Sequence, residues 1–353
     1  MTDTAERYIG TKAVDERLDF DHGQLADYLR AHVADFSGDI TVAQFKGGQS
    51  NPTYKVGAGD RHYVLRRKPP GKLAPSAHAV DREYKVISAL AATDVPVPKT
   101  YALCEDESVI GTAFYLMECL EGRVFWDFDL PGMTKPERAA IYDAMNDVIA
   151  RLHNVDYDTI DLEGYGRPGN YFARQIGRWS KQYRDAESDK VVEMDRLIDW
   201  LPDNIPDGDE TTIVHGDYRL DNMIFHPTEP RVLGVLDWEL GTLGHPLGDF
   251  SYHCMTWRVP GSVFRGLAEF DLAALGIPSE QDYVAAYCRR TGRDGIANWG
   301  FYMAYNMFRM AAIAQGILGR VRDGTAANPH AMEMAKAVRP FAEMAWAEAE
   351  KVR

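Results

Sequence analysis

The 353-residue chain is poor in cysteine, in basic residues and in long apolar runs. Cys104, Cys119, Cys254 and Cys288 fall at no paired spacing and form no Cys-x-x-Cys, which excludes a disulfide frame and a structural zinc site. Reduced thiols of that kind fit a cytoplasmic protein. No uninterrupted apolar stretch nears the ~20 residues of a membrane span. The opening residues, MTDTAERYIGTKAVDERLDFD, hold no apolar centre for a secretory signal. Lys and Arg number 39 against 53 Asp and Glu, a formal charge of -14 that repels nucleic-acid backbones and anionic lipid. Neither nucleic acid nor membrane is therefore expected as a partner. Repeats and low-complexity tracts are missing as well.

What is present is an ordinary folded composition, 45% hydrophobic and 26% charged. The length is roughly twice that of a typical domain, so two lobes are expected. Leu25, Tyr28, Leu29 and Val33 have the spacing of a helix packed by one face. Strand character follows in TVAQFKGGQSNPTYKV, HYVLRRK, VPVPKTYALC and VIGTAFYLMECL. The prolines of PPGKLAP make that segment a loop. Behind it Ser76 is predicted to cap a helix with the stripe Val80, Tyr84, Ile87 and Ala91.

Glu121-Gly122 suggests a crossing point between lobes, after which the chain turns helical. Thr134 and Glu137 have capping-box spacing ahead of the stripe Ile141, Met145, Val148 and Leu152. The segment 170–201 reads as two helices. Period two returns in TTIVHGD, NMIFH and RVLGVLDW, and from Ser251 the pattern is helical again. A small β-rich lobe followed by a large helical one predicts an α+β fold. Residues 1–118 would form an N-lobe with a five-stranded antiparallel sheet, and 119–353 a mainly helical C-lobe.

The strongest chemical signal is VHGDYRLDNMIFHPTEPRVLGVLDWE. Asn222–His226 and Arg231–Asp237 read as the arms of a hairpin about Pro227-Thr228-Glu229-Pro230, which would set Asn222 opposite Asp237. Two hard oxygen donors there suit Mg²⁺, which keeps waters and binds substrate phosphates. Asp217 in the preceding loop is then left to orient a hydroxyl and take its proton. That division of labour is what phosphoryl transfer from ATP requires. His215 fits a bracing role in the same loop better than acid–base work.

The N-terminal half supplies further candidates. The turn Gly47-Gly48-Gln49-Ser50-Asn51 can offer backbone N–H groups to phosphate oxygens, although such a pair is more often a plain hairpin turn. Alternation in HYVLRRK puts Val64, Arg66 and Lys68 on one face and Tyr63, Leu65 and Arg67 on the other. A cation on the nucleotide side would meet the α/β-phosphates, with Glu83 on the following helix as its acidic partner. Arg66 is the first candidate and Lys68 the second.

With these residues in place, the chain resembles the aminoglycoside phosphotransferase and choline kinase superfamily, small-molecule relatives of protein kinases. The resemblance runs from GGQSN through HGDYRLDN and LDWE to GHPLGDFSY. LRRKPPGKLAPSAHAVDREYKVI, ARLHNVD and GRPGNYFARQIGRWSKQY resemble the branch that includes the kinase-like domain fused to certain acyl-CoA dehydrogenases. It implies a bilobal protein-kinase-like fold. It also implies Asp217 as base, Asn222 and Asp237 as magnesium ligands, and Gly47, Gly48, Ser50 and Asn51 as the nucleotide loop. Met117, Glu118 and Leu120 would belong to the adenine-contacting link between lobes, and Asp249 would anchor the catalytic loop.

Two departures stand out. Arg66 replaces the usual lysine, which allows bidentate pairing with Glu83. Asp237-Trp238-Glu239 replaces Asp-Phe-Gly, which removes the flexible switch of regulated protein kinases. The branch points to a small-molecule hydroxyl acceptor of acyl-CoA type and to a functional link with an acyl-CoA dehydrogenase. Arg66, Arg67, Lys68 and Lys72, or Arg174, Arg178 and Lys181, would meet the phosphates of such an acceptor. The alternatives are an aminoglycoside, choline held by Trp179, Tyr183, Trp257, Trp299, Tyr302 and Tyr305, and a catalytically idle binding partner.

Overall fold

A computed structural model describes residues 9–47, 51–71, 78–324 and 331–352. They form two compact units, and packing groups the chain differently from a cut at 118/119. The first unit gathers the described residues up to Trp126 together with Asp156–Tyr165 and Arg219–Gly241; the second holds the rest.

The first unit is built on one antiparallel sheet. Its strands are β1 (Thr11–Lys12), β2 (Ile40–Phe45), β3 (Thr53–Ala58), β4 (Arg61–Arg67), β5 (Thr100–Cys104) and β6 (Phe114–Glu118), in the order β1-β2-β3-β4-β6-β5. Six strands stand where five were expected. The sixth is β1, two residues of a polar segment that hold on by pairing Thr11 with Phe45 and Lys12 with Gln44. So short an element carries no period to detect. Alternation along β4 sorts its side chains as expected. Tyr63 and Leu65 enter a core with Tyr54, Val56, Phe114 and Leu116, closed by Leu25 and Leu29 of α1 (His22–His32) and by Val33 just after it. Val64 and Arg66 face the other way, into a cavity.

Helix α2 (Val80–Leu90) departs from its predicted stripe. The buried positions are Val80, Glu83, Val86, Ile87 and Leu90, so Glu83 lies inside the stripe and not beside it. Ser76 lies outside the described residues; the helix starts after Ala79 with no side-chain cap.

The hairpin of Met223–Phe225 and Val232–Val235 is tied into this unit by backbone bonds. Arg123 and Phe225 exchange N–H···O bonds of 2.8 and 2.9 Å, and Val235 N–H donates to Pro96 O at 2.9 Å. Gly122 makes the join possible, since a Cβ there would sit 2.2 Å from the Phe225 carbonyl oxygen.

The second unit is mostly helical. Helix α3 (Lys135–His153) starts with the expected capping box, Thr134 N–H donating to Glu137 Oε2 at 2.7 Å, and it buries Ile141, Met145, Val148 and Leu152. Next come α4 (Tyr171–Ala186), α5 (Val192–Asp203), α6 (Pro246–Cys254), α7 (Glu280–Thr291), α8 (Trp299–Arg322) and α9 (Val338–Glu350). Helix α8 packs on α9, α4 and α6. Strands Thr212–Val214 and Thr242–Gly244 pair antiparallel beneath the loop that carries Asp217. Among the described residues, no helix is long and apolar enough to cross a membrane.

Candidate functional site

In the first unit a cavity of about 350 Å³ opens beside β4 and the hairpin. Val64, Ile87 and Leu236 make parts of its wall apolar, and Arg66, Asn222 and Asp237 supply polar groups. Met117, Glu118 and Leu120, proposed from the resemblance as the adenine link, all line it, with Cys119 between them. Gly47 lines it too, whereas Gly48 and Ser50 lie outside the described residues.

Arg66 is the electrostatic centre of this region. Its Nε lies 2.9 Å from Glu83 Oε2, its Nη2 contacts Asp237 Oδ1, and Glu239 Oε2 stands 3.7 Å away. Burial works against the guanidinium's charge, but the carboxylates of Glu83 and Asp237 outweigh it and hold Arg66 more firmly protonated than usual. Glu83 is itself fixed by Asn51 Nδ2 at 2.8 Å and the Tyr115 hydroxyl at 3.1 Å. Asn51 therefore turns its side chain inward as a brace for Glu83. Lys68, the second candidate cation, is partly exposed and lies 3.8 Å from Asp81.

The hairpin brings Asn222 and Asp237 to the same cavity, but in a different register. Met223 pairs with Val235, and Leu236 N–H donates to Asn222 O at 2.8 Å, so Asn222 faces Leu236 and not Asp237. A bulge between Ile224 and Phe225 shifts the arms, and Asp237 leaves the strand in the left-handed region at φ +66°. Asparagine and aspartate tolerate that conformation better than other side chains. Asn222 and Asp237 remain a pair of hard oxygen donors on one cavity wall, a set that fits magnesium held with substrate oxygens and water. Among the described residues no group of three or more His, Cys, Asp or Glu is placed to hold a metal by itself. Trp238 is buried and its Nε1 donates to Val235 O at 2.9 Å, which anchors the residue that stands where a switch would be.

In the second unit the loop of Asp217 is braced from within. Asp249, fully buried, accepts the N–H of His215 at 2.7 Å and that of Gly216 at 2.9 Å. Burial disfavours its charge, yet the His153 imidazole and these N–H groups hold its carboxyl below the usual range. His215 is inaccessible to solvent, and its Nδ1 accepts the N–H of Asp217 at 3.2 Å. That contact ties the imidazole to the backbone of the loop.

Two residues at this loop escaped the sequence reading. The Tyr252 hydroxyl donates to Asp217 Oδ1 at 2.6 Å, and Arg309 Nη2 donates to Gly216 O at 2.8 Å. Tyr252 stands inside GDFSY, so a signal for it existed. Arg309 lies 93 positions from Gly216, in a helix whose other residues read as core. Of the aromatics considered as a choline cage, Tyr183, Trp257, Tyr302 and Tyr305 are buried, and Trp257 lies 4.6 Å from Tyr283 between ring centroids. Lys181 of the basic cluster pairs with Asp185 at 2.7 Å.

A family model described as the phosphotransferase enzyme family matches residues 41–299. Acyl-CoA dehydrogenase family member 10 of Mus musculus is 46% identical over 339 residues, covering 95% of this chain and 32% of the mouse protein. The chain thus spans about a third of that relative's length. A crystal structure from Ralstonia eutropha, provisionally described as an aminoglycoside phosphotransferase, is 57% identical with a TM-score of 0.88, over 94% of this chain and 99% of the other. At 15% identity, and over 92% and 98% of the two chains, an aminoglycoside phosphotransferase APH(4)-Ia solved with AMP-PNP and hygromycin B shares the fold at a TM-score of 0.59.

Proposed function

The chain belongs to the phosphotransferase enzyme family, and from that premise we propose an ATP- and magnesium-dependent kinase that phosphorylates a hydroxyl of a small acyl-type molecule. One observation carries the reading. Arg66, Glu83, Asn222 and Asp237, drawn from a strand, a helix and the two open ends of a hairpin, meet at a single cavity or directly behind it. Nothing in the packing of a sheet demands a buried cation held by two acids at the mouth of a pocket.

In this reading the backbone of Met117–Leu120 receives the adenine, and the loop of Gly47, Gly48 and Ser50 cradles the phosphates. Arg66 neutralises the α/β-phosphates, and Glu83, steadied by Asn51 and Tyr115, keeps its guanidinium in place. Asn222 and Asp237 hold magnesium, which supplies charge neutralisation on the transferring phosphoryl group. Asp217 accepts the proton of the acceptor hydroxyl, while His215 and Asp249 keep its loop in shape. Residues 1–118 contribute the nucleotide side and 119–353 the catalytic loop and acceptor side. The mouse relative's name supports an acyl-CoA-linked acceptor and a partnership with an acyl-CoA dehydrogenase. The four free cysteines fit a cytoplasmic setting.

The test is ADP release from MgATP with three acceptor panels: hydroxyacyl-CoA thioesters, aminoglycosides and choline. Turnover that needs Mg²⁺ and is greatest with a hydroxyacyl-CoA supports the proposal. Turnover confined to aminoglycosides or choline overturns the acyl assignment. Nucleotide binding without phosphorylation of any acceptor overturns the enzyme reading in favour of an idle binding partner.

A further inference from the structure

The loop before Asp217 is gripped on two sides. Its N–H groups are spoken for by Asp249 and His215. Its outward carbonyl, that of Gly216 in the left-handed region at φ +81°, accepts from Arg309. Arg309 is only 6% exposed; no carboxylate of the described residues is in salt-bridge contact with it, and Asp217 acts on its charge from beyond contact distance. Its guanidinium instead lies over two rings, 5.1 Å from the centroid of Tyr252 and 5.6 Å from that of Trp179. Tyr252, under one face of that cation, is the residue whose hydroxyl holds Asp217 Oδ1 at 2.6 Å.

A buried cation out of contact with any described carboxylate is a costly way to fill a helix interface, and an apolar side chain of similar volume would pack there at lower cost. A guanidinium does what such a side chain does not. Its planar fork spans a carbonyl and two ring faces at once. It thereby fixes the backbone just before Asp217 and the ring that touches the Asp217 carboxylate, from α8, α6 and α4 together.

We propose that Arg309 and Tyr252 form one positioning unit that sets the orientation of the Asp217 carboxylate for proton acceptance. The inference rests on the reading of Asp217 as the base. Neither residue is assigned contact with the nucleotide or the acceptor. Trp179 is the back wall of the unit, with the guanidinium over its ring. Because both residues act through one carboxylate geometry, their removal is not additive.

The experiment compares Tyr252→Phe, Arg309→Lys, the double variant and Asp217→Asn in the full chain, with the best hydroxyacyl-CoA of the panel as acceptor. Tyr252→Phe and Arg309→Lys should each lower kcat by about tenfold or more, with KM for ATP and ADP affinity within twofold of wild type. The double variant should be no worse than the poorer single one. Multiplicative losses in the double variant, or an unchanged kcat in Tyr252→Phe, overturn the unit. If Arg309→Lys does not fold, Tyr252→Phe decides by its split between kcat and KM, since a purely structural role would shift both or neither. An unaltered rate in Asp217→Asn overturns the reading of the base itself, and is told apart by the collapse that variant otherwise shows.

Discussion

The two units solve the same problem, holding a functional carboxylate in place, by opposite means. Asp237 in the first unit is fixed by charge, through Arg66, which Glu83 and Glu239 share. Asp217 in the second is held by the Tyr252 hydroxyl, which donates to one oxygen, and by His215, whose Nδ1 accepts its N–H. The difference matches the tasks proposed for them. A metal-binding acid can tolerate a cation at one oxygen, because it works through charge. A base must keep an affinity for protons, and a direct salt bridge would drain it.

Four outcomes sharpen or break this contrast. The largest belongs to the base: Asp217→Asn should lower kcat by about 10²–10⁴-fold and leave MgATP affinity as it was. A comparable loss of affinity in a nucleotide titration would mean that Asp217 belongs with the charged group.

The next outcome concerns the neutral interior of the second unit. Burial pushes both His245 and His253 down to about 4 from an ordinary 6.5. Each therefore stays uncharged in the fold while the unfolded chain takes up protons. Their contribution is complete above pH 6.5 and drains away as pH falls from 6.5 toward 4, by up to about 3 kcal/mol apiece. Melting curves should show Tm falling through that window, and His253→Gln should make the fall shallower. Equal slopes in the two proteins would show that His253 takes no part.

For the charged unit, Arg66→Lys should raise the KM for ATP by roughly tenfold. A lysine cannot serve Glu83 and Asp237 with the same planar fork. A KM unchanged by the substitution would shift the phosphate contact elsewhere, first to Lys68. The smallest effect is predicted for Lys68→Ala, whose pair with Asp81 is long and partly exposed: KM within twofold and stability within about 0.5 kcal/mol of wild type.

Much of this was legible from residue order because it rests on short-range regularities. Alternation in β4 separated Arg66 from Leu65, and the capping box marked the start of α3. The hairpin turn was visible too, with His226 N–H donating to Arg231 O at 2.7 Å. What stayed hidden has physical reasons. Register failed by one residue because a bulge and a left-handed aspartate leave no compositional mark. The predicted stripe of α2 leaves Glu83 out, since a buried acid is foreseen only once its cation is placed next to it. Arg309 reaches its carbonyl across 93 positions, and no local period reports such a contact.

The return of Arg219–Gly241 to the sheet unit bears on how the chain is born. At about 5–20 residues per second, a ribosome releases the sheet strands several seconds before the hairpin that Gly122 and Pro96 receive. Through that interval the nascent sheet carries an open docking edge at Arg123 and Pro96. A fragment ended at Trp126 would keep that edge open for good. Fragments meant to isolate the sheet unit should therefore carry the hairpin grafted back.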